Sequence, residues 1–440
     1  MKNGRNKRRR KLSAGSVFML ALMAMVLCGS VLVLGRLSSG ASVDLNRLQM
    51  TVLDLQSGNR NEADDTEEQP ENNGIQMITA GNTAMPRSVT ETPVPVNDED
   101  SITLTLGGSI SLSGEVRKNS RSTDSKVADY ADVMMLLAPE INNSMNGVFL
   151  ENILSDRHKA SDTVAPAEAA MILKEAGFDY AACGFSQAYS SGKDGVSATL
   201  ETLSGQGIRA LGIRGDDAGI PEVRTVNRVR TAIMQYTATV PEKTRKSMLK
   251  EGTSGMVPEA DLSLISADIA SAREQGAEAV IVLINWGKTG KDPDSRQIEL
   301  AREIAQAGAD LIVGNGSHVP QTAEFLPGRE GKEVLCVWSL GSLLSGDRSN
   351  IRRLSGYLLH ITIRRDGKGG VEIRNPEYTP VYTWKYKQDG RFYYRCVSAG
   401  ARVPDGMDSE QQKNMARAAE TVRNVLKDSP LTERGRADAE

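Results

Sequence analysis

The side chains best able to do chemistry in this 440-residue sequence are a few acids and imidazoles that follow predicted strands. Glu151, His318 and Glu324 would form an acid-base set if the fold brings them together, because a carboxylate can orient an imidazole that exchanges protons near neutral pH. Alternatively, His318 only hydrogen-bonds within its own loop. The sequence has three histidines in all, whereas a dinuclear hydrolytic centre needs about half a dozen oxygen and nitrogen ligands, usually with several imidazoles.

The other two histidines favour structural roles. His360 alternates with Leu358 and Thr362 on one face of a predicted strand, and His158 lies in a polar connector without a neighbour at ligand spacing. A serine nucleophile is also poorly supported, because residues 184–188 match only half of the Gly-x-Ser-x-Gly pattern.

The four cysteines do not predict a metal site, because no two of them have the Cys-x-x-Cys spacing. Cys28 falls within an apolar N-terminal segment, which leaves Cys183, Cys336 and Cys396. We expect these three to be small buried apolar side chains, although one disulfide is possible.

The elements that must position these residues alternate between strand and helix up to about residue 315. Apolar runs and alternation predict the strands, and helical spacing with glycine or proline at the ends predicts the helices. The predicted strands are 102–108, 147–154, 179–185, 208–213, 228–237, 277–286 and 309–315, and the predicted helices are 127–137, 166–177, 195–206, 259–275 and 294–307. This order predicts an α/β domain with largely buried sheets.

After about residue 320 the pattern predicts strands alone, at 322–326, 333–340, 357–365 and 371–375. We expect these strands to form a second sheet that covers the first. An amphipathic helix is predicted at 409–428, with Ser409 and Gln412 as its capping box, and it should pack on the domain.

Sites of α/β sheets are built from loops at the carboxyl ends of parallel strands. Five such loops can be read here, at 107–109, 150–152, 184–187, 285–287 and 314–318. Around them the sequence resembles the bacterial capsule-synthesis family CapA, also described as poly-γ-glutamate biosynthesis proteins and related to calcineurin-like metallophosphoesterases. The resemblance covers about 102–345 and is most specific in INWGKTGKDPDSRQIELAREIAQAGADLIVGNGSHVPQTAEFL and the following VWSLGSLL.

The resemblance implies a two-sheet α/β sandwich with helix-sheet-sheet-helix layers, and a role in making or exporting an envelope polymer. It also implies a set of pocket-lining positions. These are Gly107, Gly108, Gln187, Asn285, Trp286, Gly287, Asn315, Gln321 and Ser342.

The ligand positions of the family are mostly substituted in this sequence. The family aspartate after the first strand is Gly108, the histidine of its Asn-Asn-His triplet is Gln187, and the histidine before Trp286 is Asn285. The first two histidines of the family's Gly-His-His-Pro-His segment are Asn315 and Gly316, whereas Glu151, His318 and Glu324 remain. Glycine has no donor and a neutral amide is a poor substitute for imidazole or carboxylate, so we predict no metal and no cofactor.

The N-terminal region predicts attachment to a membrane. Residues 1–11 are basic and should stay in the cytoplasm, and the apolar segment 12–36 is long enough as a helix, roughly 36 Å, to cross a bilayer core of about 30 Å. We favour an uncleaved signal anchor over a cleaved signal peptide, whose apolar region is normally shorter. Residues 37–100, acidic and rich in proline, predict a disordered stalk.

The predicted extracytoplasmic part comprises a CapA-like domain at 101–345, C-terminal strands and a helix that complete it at 346–430, and a loose tail at 431–440. We expect no nucleic-acid partner, because acidic and basic residues nearly cancel and the net charge is -3.

Three functions are compatible with the sequence. The first is a membrane-anchored protein of capsule or poly-γ-glutamate-type polymer biosynthesis or export that works without metal catalysis, with the polymer or its synthesis machinery as partner. The second is an active hydrolase or transferase with a reduced site at Glu151, His318 and Glu324. The third is a non-enzymatic scaffold of a membrane complex.

Overall fold

The computed structural model describes residues 100–119, 130–215, 221–388 and 390–435. The predicted basic tail 1–11, the signal anchor 12–36 and the stalk as far as residue 99 lie outside these ranges, as do residues 436–440. Within the described ranges, no helix combines the length and the apolar character needed to cross a bilayer.

The strands and helices of the described residues follow one another along the whole domain. The strands are β1 Ser101–Ile110, β2 Met145–Leu150, β3 Ile153–Leu154, β4 Val164–Ala165, β5 Tyr180–Ala182, β6 Arg209–Leu211, β7 Val223–Val226, β8 Val229–Thr237, β9 Ala279–Asn285, β10 Leu311–Asn315, β11 Ala323–Pro327, β12 Glu333–Val337, β13 Ser342–Leu344, β14 Ser355–Arg365, β15 Val371–Gln388, β16 Arg391–Ser398 and β17 Thr432–Glu433. The α-helices are α1 Gly114–Lys118, α2 Met171–Ala176, α3 Gly192–Gly205, α4 Glu242–Glu251, α5 Leu262–Glu274, α6 Ser295–Ala307 and α7 Ser409–Leu426.

Two mixed sheets organise these strands. The first has the order β16-β15-β14-β1-β2-β5-β6, with β13 also paired to β1 and β17 to β15. The second has the order β11-β12-β10-β9-β8-β7. Because β1, β2, β5 and β6 are parallel in one sheet and β8, β9, β10 and β12 in the other, each sheet has a set of carboxyl ends able to carry functional loops.

The two sheets face each other across a common apolar core. Leu104, Leu106 and Phe149 of the first sheet belong to the same buried cluster as Ile281 and Val313 of the second. β9 is buried along its whole length because both of its faces are covered, which is why its sequence AVIVLIN is a nearly continuous apolar run.

Helices cover the outer faces. Ile265 of α5 and Ile304 of α6 cluster with Val282 of the second sheet, and Ile172 of α2 and Val196 of α3 belong to the core on the outer side of the first. The predicted α/β class is therefore confirmed, and helix, sheet, sheet and helix follow one another as layers.

Several sequence predictions of the fold are wrong in detail. The strands after residue 320 do not form a separate sheet, because β11 and β12 extend the second sheet while β13 to β17 join the first. Residues 131–133 form a short 3₁₀ turn instead of part of the predicted helix 127–137, and a second 3₁₀ turn, Ala138–Glu140, follows with Pro139 as its second residue. Residues 127–129 of that predicted helix lie outside the described ranges.

The C-terminal region also differs from the prediction. β15 continues to Gln388 because a bulge near Asn375, which has a φ of 45°, lets the strand pass Pro376 and resume pairing. α7 is capped by Asp408, whose carboxylate accepts from the Gln411 N–H at 2.8 Å, and not by Ser409. Part of the predicted loose tail forms β17, which pairs with β15, and the Glu433 carboxylate also contacts Arg423 at 2.7 Å.

His360 has the structural position that its strand pattern predicts. It is buried in β14, with its ring nitrogens 3.1 Å from Thr105 Oγ1 and 3.0 Å from Thr379 Oγ1. The Arg434 guanidinium lies 3.3 Å from its Nδ1 and also approaches the carboxylate of Glu377. Burial, aided by the Arg434 charge, lowers the pKa of His360 from 6.5 to about 3.

Acid is therefore expected to destabilise the protein through His360. Below pH 6.5 His360 is protonated in the unfolded chain, whereas in the folded state it stays neutral until about pH 3. Its contribution to stability is therefore fully present above pH 6.5 and is lost as the pH drops. Between pH 7 and 5 this histidine should remove about 2 kcal/mol of unfolding free energy. Urea denaturation at both pH values measures the loss.

The matched variants for this measurement are His360→Gln and His158→Gln. The first should show a smaller loss between pH 7 and 5 than the unchanged protein, whereas the second, on a half-exposed histidine that contacts Ser155, should keep the full loss. Equal losses in all three proteins would show that His360 does not control the acid response.

Candidate functional site

The candidate site lies where the carboxyl ends of strands from both sheets approach one another. Glu151 follows β2 of the first sheet, and His318 follows β10 of the second. The Nδ1 atom of His318 lies 3.1 Å from Oε2 of Glu151, and Asn315 Nδ2 donates to Ser109 Oγ at 2.8 Å. These two contacts join the sheets at the edge where the five candidate loops were expected.

The Glu151–His318 pair is only partly satisfied. The Glu151 side chain is 8% exposed, and its Oε1 has no hydrogen-bond partner among the described residues. His318 is 29% exposed and has a left-handed backbone with a φ of 55°, so its loop holds the ring toward Glu151 while leaving one side accessible. The pair could exchange a proton with a molecule in the cleft, or it could simply hold the two loops together.

Glu324 does not join the pair through any contact in the described residues. It lies on β11, where its Oε1 accepts from the Trp338 indole N–H at 3.0 Å. Trp338 stacks on Trp286 with 5.6 Å between ring centroids, and its carbonyl accepts from the Trp286 indole N–H at 2.8 Å. Two of the three predicted acid-base residues thus meet, while the third supports a pair of buried tryptophans.

The amides at positions where the resemblance implies metal ligands are engaged in hydrogen bonds of the loops. Asn315 is fully buried and accepts from Ser339 Oγ at 3.1 Å, in addition to its bond with Ser109. Asn285 Oδ1 accepts from Thr239 Oγ1 at 3.0 Å. These amides therefore act as structural links between loops.

The remaining pocket-lining predictions have different surroundings. Gln321 is buried and donates to the Lys291 carbonyl at 2.8 Å, while Ser342 Oγ donates to the His318 carbonyl at 3.3 Å. Gly287 has a φ of 80° beside Gln297. Gln187 is exposed in the turn after β5, and no contact in the described residues joins its side chain to Glu151 or His318.

A serine network around Asn315 was not predicted from the sequence. Ser317 Oγ donates to Ser339 Oγ at 3.0 Å, and Ser339 Oγ in turn donates to Asn315 and accepts from the Gly341 N–H at 3.2 Å. Serines at strand ends are common and do not by themselves predict such a network. The sequence signal for it is the position of Ser109, which contacts Asn315, directly after Gly107 and Gly108.

Two positions where the resemblance implies metal ligands, Gly108 and Gly316, have no room for a side chain. Gly107 and Ser109 pair with adjacent residues of β2, so Gly108 is the extra residue of a β-bulge. A Cβ atom at Gly108 would overlap the Gly341 carbonyl oxygen and lie 2.9 Å from its carbon. At Gly316, which has a φ of 111°, a Cβ atom would lie 2.8 Å from the Trp286 carbonyl oxygen.

The residues present do not fit a dinuclear metal centre. Within the described ranges, no three His, Cys, Asp or Glu side chains come close enough together to hold one metal ion. Glu151 and His318 are the charged or imidazole donors at this edge, and the amides of Asn285 and Asn315 are already hydrogen-bonded. Because divalent transition ions prefer imidazole and carboxylate donors, this donor set is too poor for them.

Comparison with known proteins gives the family. The family model described as "Bacterial capsule synthesis protein PGA_cap" matches residues 103–347, which is more than half of the chain. The chain belongs to the PGA_cap family. The matched region runs from β1 through β13 and so contains Glu151, His318 and the substituted ligand positions.

Two proteins that the chain is similar to along most of its length are from Bacillus. "PGA biosynthesis protein CapA" of Bacillus subtilis (strain 168) is 26% identical over 293 residues, covering 64% of this chain and 73% of the relative. "Capsule biosynthesis protein CapA" of Bacillus anthracis is 24% identical over 313 residues, covering 68% of this chain and 73% of the relative. The predicted resemblance to CapA is confirmed.

Among solved structures, the chain is similar to the calcineurin-like phosphoesterase YfkN from Bacillus subtilis. The TM-score is 0.37 and the identity 12%, and the match covers 74% of this chain and 98% of that one.

Proposed function

We propose that this PGA_cap protein acts outside the cell membrane in the biosynthesis or export of a capsule or poly-γ-glutamate-type polymer, without metal-dependent catalysis. The observation that carries the proposal is the combination of a family match over 103–347 with glycine backbone packed into two former ligand positions, Gly108 and Gly316. The names of the two Bacillus relatives support the polymer.

The membrane position is supported by the sequence alone. The basic residues 1–11 and the apolar segment 12–36 are the pattern of a signal anchor with its N-terminus in the cytoplasm. Protease added to intact cells stripped of their wall should then digest the domain after residue 100. A domain that resists the protease until the membrane is lysed would remove the proposed orientation.

Metal content and hydrolysis test the absence of catalysis. We expect the full-length protein, purified without chelators, to retain no stoichiometric Mn, Fe or Zn, and to hydrolyse neither phosphoesters nor γ-glutamyl peptides. The physical reason is that metal-bound hydroxide cannot form at neutral pH without a suitable ligand set. Elemental analysis and a substrate panel make the measurement, and bound metal together with turnover would contradict the proposal.

The second candidate is an active hydrolase or transferase, and the contact between Glu151 and His318 favours it. A carboxylate that orients a partly exposed imidazole is a common arrangement for a general base. In this case His318→Gln would abolish activity and polymer production, whereas under the first proposal a stably folded His318→Gln protein should restore polymer to cells that lack the gene. The amount of surface polymer in complemented cells separates the two.

A further inference from the structure

A second candidate site lies on the β15–β16 hairpin, beyond the segment that the family model matches. Trp384 pairs with Arg395 across the two strands, and Tyr386 pairs with Tyr393, so these four side chains share one face of the hairpin. The Trp384 and Tyr386 rings stack at 4.5 Å, and the Tyr386 and Tyr393 rings at 5.4 Å. The result is a continuous row of three aromatic rings.

A groove runs beside this aromatic row. Its volume is about 640 Å³, which is within the range of ordinary ligand pockets. It is lined by Trp384, Tyr386 and Arg395 of the hairpin, by residues 401–406 and by Leu136. Leu136 is 38% exposed, so an apolar surface remains uncovered there.

Two polar atoms of these lining residues have no hydrogen-bond partner in the part of the chain that the structure describes. The indole N–H of Trp384 is buried and makes no hydrogen bond within the described residues, although the side chain is 4% exposed and lines the groove. The same is true of the Nε atom of Arg395. Buried donors are normally satisfied, so a pair of unsatisfied donors at one groove indicates a ligand that supplies acceptors.

The charge of the groove favours an acidic ligand. Among the described residues, Arg395 and Arg402 line it together with one carboxylate, Asp405. Lys387 also lines it, but its Nζ atom lies 5.8 Å from the centre of the Phe392 ring on the other face of the hairpin. The Arg402–Asp405 contact is 3.5 Å long and almost fully exposed, so it is weak and Arg402 can exchange Asp405 for an acidic group of a ligand. Arg395 also binds Asp132 at 2.9 Å, but its guanidinium lies 5.4 Å from the Tyr386 ring centre and keeps a cation against the aromatic row.

From these observations we infer that the groove binds an acidic polysaccharide. The part of Tyr386 that stays exposed offers apolar surface to a sugar ring. Hydroxyl oxygens accept from the unsatisfied donors, and carboxylate or phosphate groups meet Arg395 and Arg402. A linear polyglutamate has carboxylates but no rings to stack, so it uses only part of the site. The inference rests on the proposed function only for the position of the domain outside the cell.

Binding to defined oligomers tests the inference on the full-length protein. The probes are a hyaluronan hexasaccharide, the neutral chitin hexasaccharide and a poly-γ-glutamate of matched charge, followed by titration calorimetry and by tryptophan fluorescence. We expect the acidic sugar to bind at least about tenfold more tightly than either other probe, and added salt to weaken it. Equal binding of all three, tighter binding of poly-γ-glutamate, or no binding of the acidic sugar would overturn the inference.

Variants on the two faces of the hairpin locate the site. Tyr386→Leu keeps an apolar side chain without the ring and should weaken acidic-sugar binding about tenfold, and Arg402→Gln, at an exposed position, should weaken it and reduce its salt dependence. The matched control is Phe392→Leu, because Phe392 pairs with Lys387 on the other face and is exposed. A greater loss in the Phe392 variant than in the Tyr386 variant would place the ligand elsewhere.

Binding of the acidic sugar and polymer production in cells without the gene together separate this inference from the proposed function. If cells without the gene lose their surface polymer while the protein binds no acidic sugar, the groove assignment fails alone. If the protein binds the acidic sugar through Tyr386 while polymer production is independent of the gene, the groove stands and the biosynthetic role fails.

Discussion

Replacing Gly108 with aspartate is expected to destabilise the protein by about 3 kcal/mol or more, and not to create a metal site. Gly108 occupies the position of a family aspartate, but a Cβ atom there would overlap the carbonyl oxygen of Gly341. That oxygen also accepts from the Ser109 N–H at 2.9 Å, so it cannot move without breaking the contact between β1 and the loop before β13. Restoring the ligand therefore requires rebuilding the loop.

Neighbouring glycines provide the control for this prediction. A Cβ atom at Gly107 would lie 2.9 Å from Leu343 Cδ2, which is the end of a flexible side chain. Gly107→Ala should therefore cost less than Gly108→Ala, although the two differ by one position in the same strand. Chemical denaturation measures both, together with Gly108→Asp in the presence and absence of Mn²⁺ or Zn²⁺. A folded Gly108→Asp protein that retains metal would refute the closed-site interpretation.

Much of the fold could be predicted because local signals and tertiary structure agree. α6 is an example: Asp294 and Gln297 form a complete capping box at its start, and Gly308 ends it with a φ of 109°. α2 ends in the same way at Gly177, with a φ of 88°. Buried parallel strands such as β9 and β10 appear in the sequence as nearly continuous apolar runs, because both of their faces are covered.

The membership of strands in sheets could not be predicted from the same signals. β11 and β13 are similar short apolar segments, yet one joins the second sheet and the other the first. The choice depends on long-range pairing, such as Ser109 with Ser342 and Phe325 with Leu335, that no local pattern encodes. The spacing at 130–137 likewise resembles a helix, but Tyr130, Val133, Met134 and Leu137 are buried from a 3₁₀ turn and the turns that follow it.

The candidate site shows the same division. The sequence placed Glu151 and His318 in loops at the carboxyl ends of parallel strands but left open whether they meet. The two strands belong to different sheets, so the 3.1 Å contact depends on how the sheets pack. The position of Glu324 depends instead on the register of β11, which pairs it with Cys336 and directs its carboxylate to Trp338. Side-chain direction in a strand changes with each residue, so it follows only from the pairing.

The closed positions give the Glu151–His318 pair a particular importance. Gly108 and Gly316 are packed against backbone and leave no space for a side chain there. The pair, by contrast, places the buried carboxyl group of Glu151 beside the partly exposed ring of His318. Its behaviour on substitution therefore distinguishes a structural link between the sheets from a working acid-base pair.

Removing the His318 ring is expected to cost about 2 to 3 kcal/mol of unfolding free energy. In His318→Ala the Glu151 carboxylate, of which Oε1 already lacks a partner, loses the contact at Oε2 as well. The figure is lower than for a fully buried pair because His318 is partly exposed and water can enter the space it leaves. Glu151→Gln should then be far less harmful, since a neutral amide tolerates burial better than an unpaired carboxylate.

A double-mutant cycle isolates the coupling between the two side chains. Glu151→Gln in the His318→Ala protein should recover at least about 1 kcal/mol, and His158→Ala, in a half-exposed loop, should change stability by less than about 0.5 kcal/mol. Additive losses would show that the two side chains do not interact in solution. If the protein that carries both Glu151→Gln and His318→Ala also supports normal polymer production, the pair has a structural role. General-base catalysis would be lost in this protein, because both the imidazole and the carboxylate are removed.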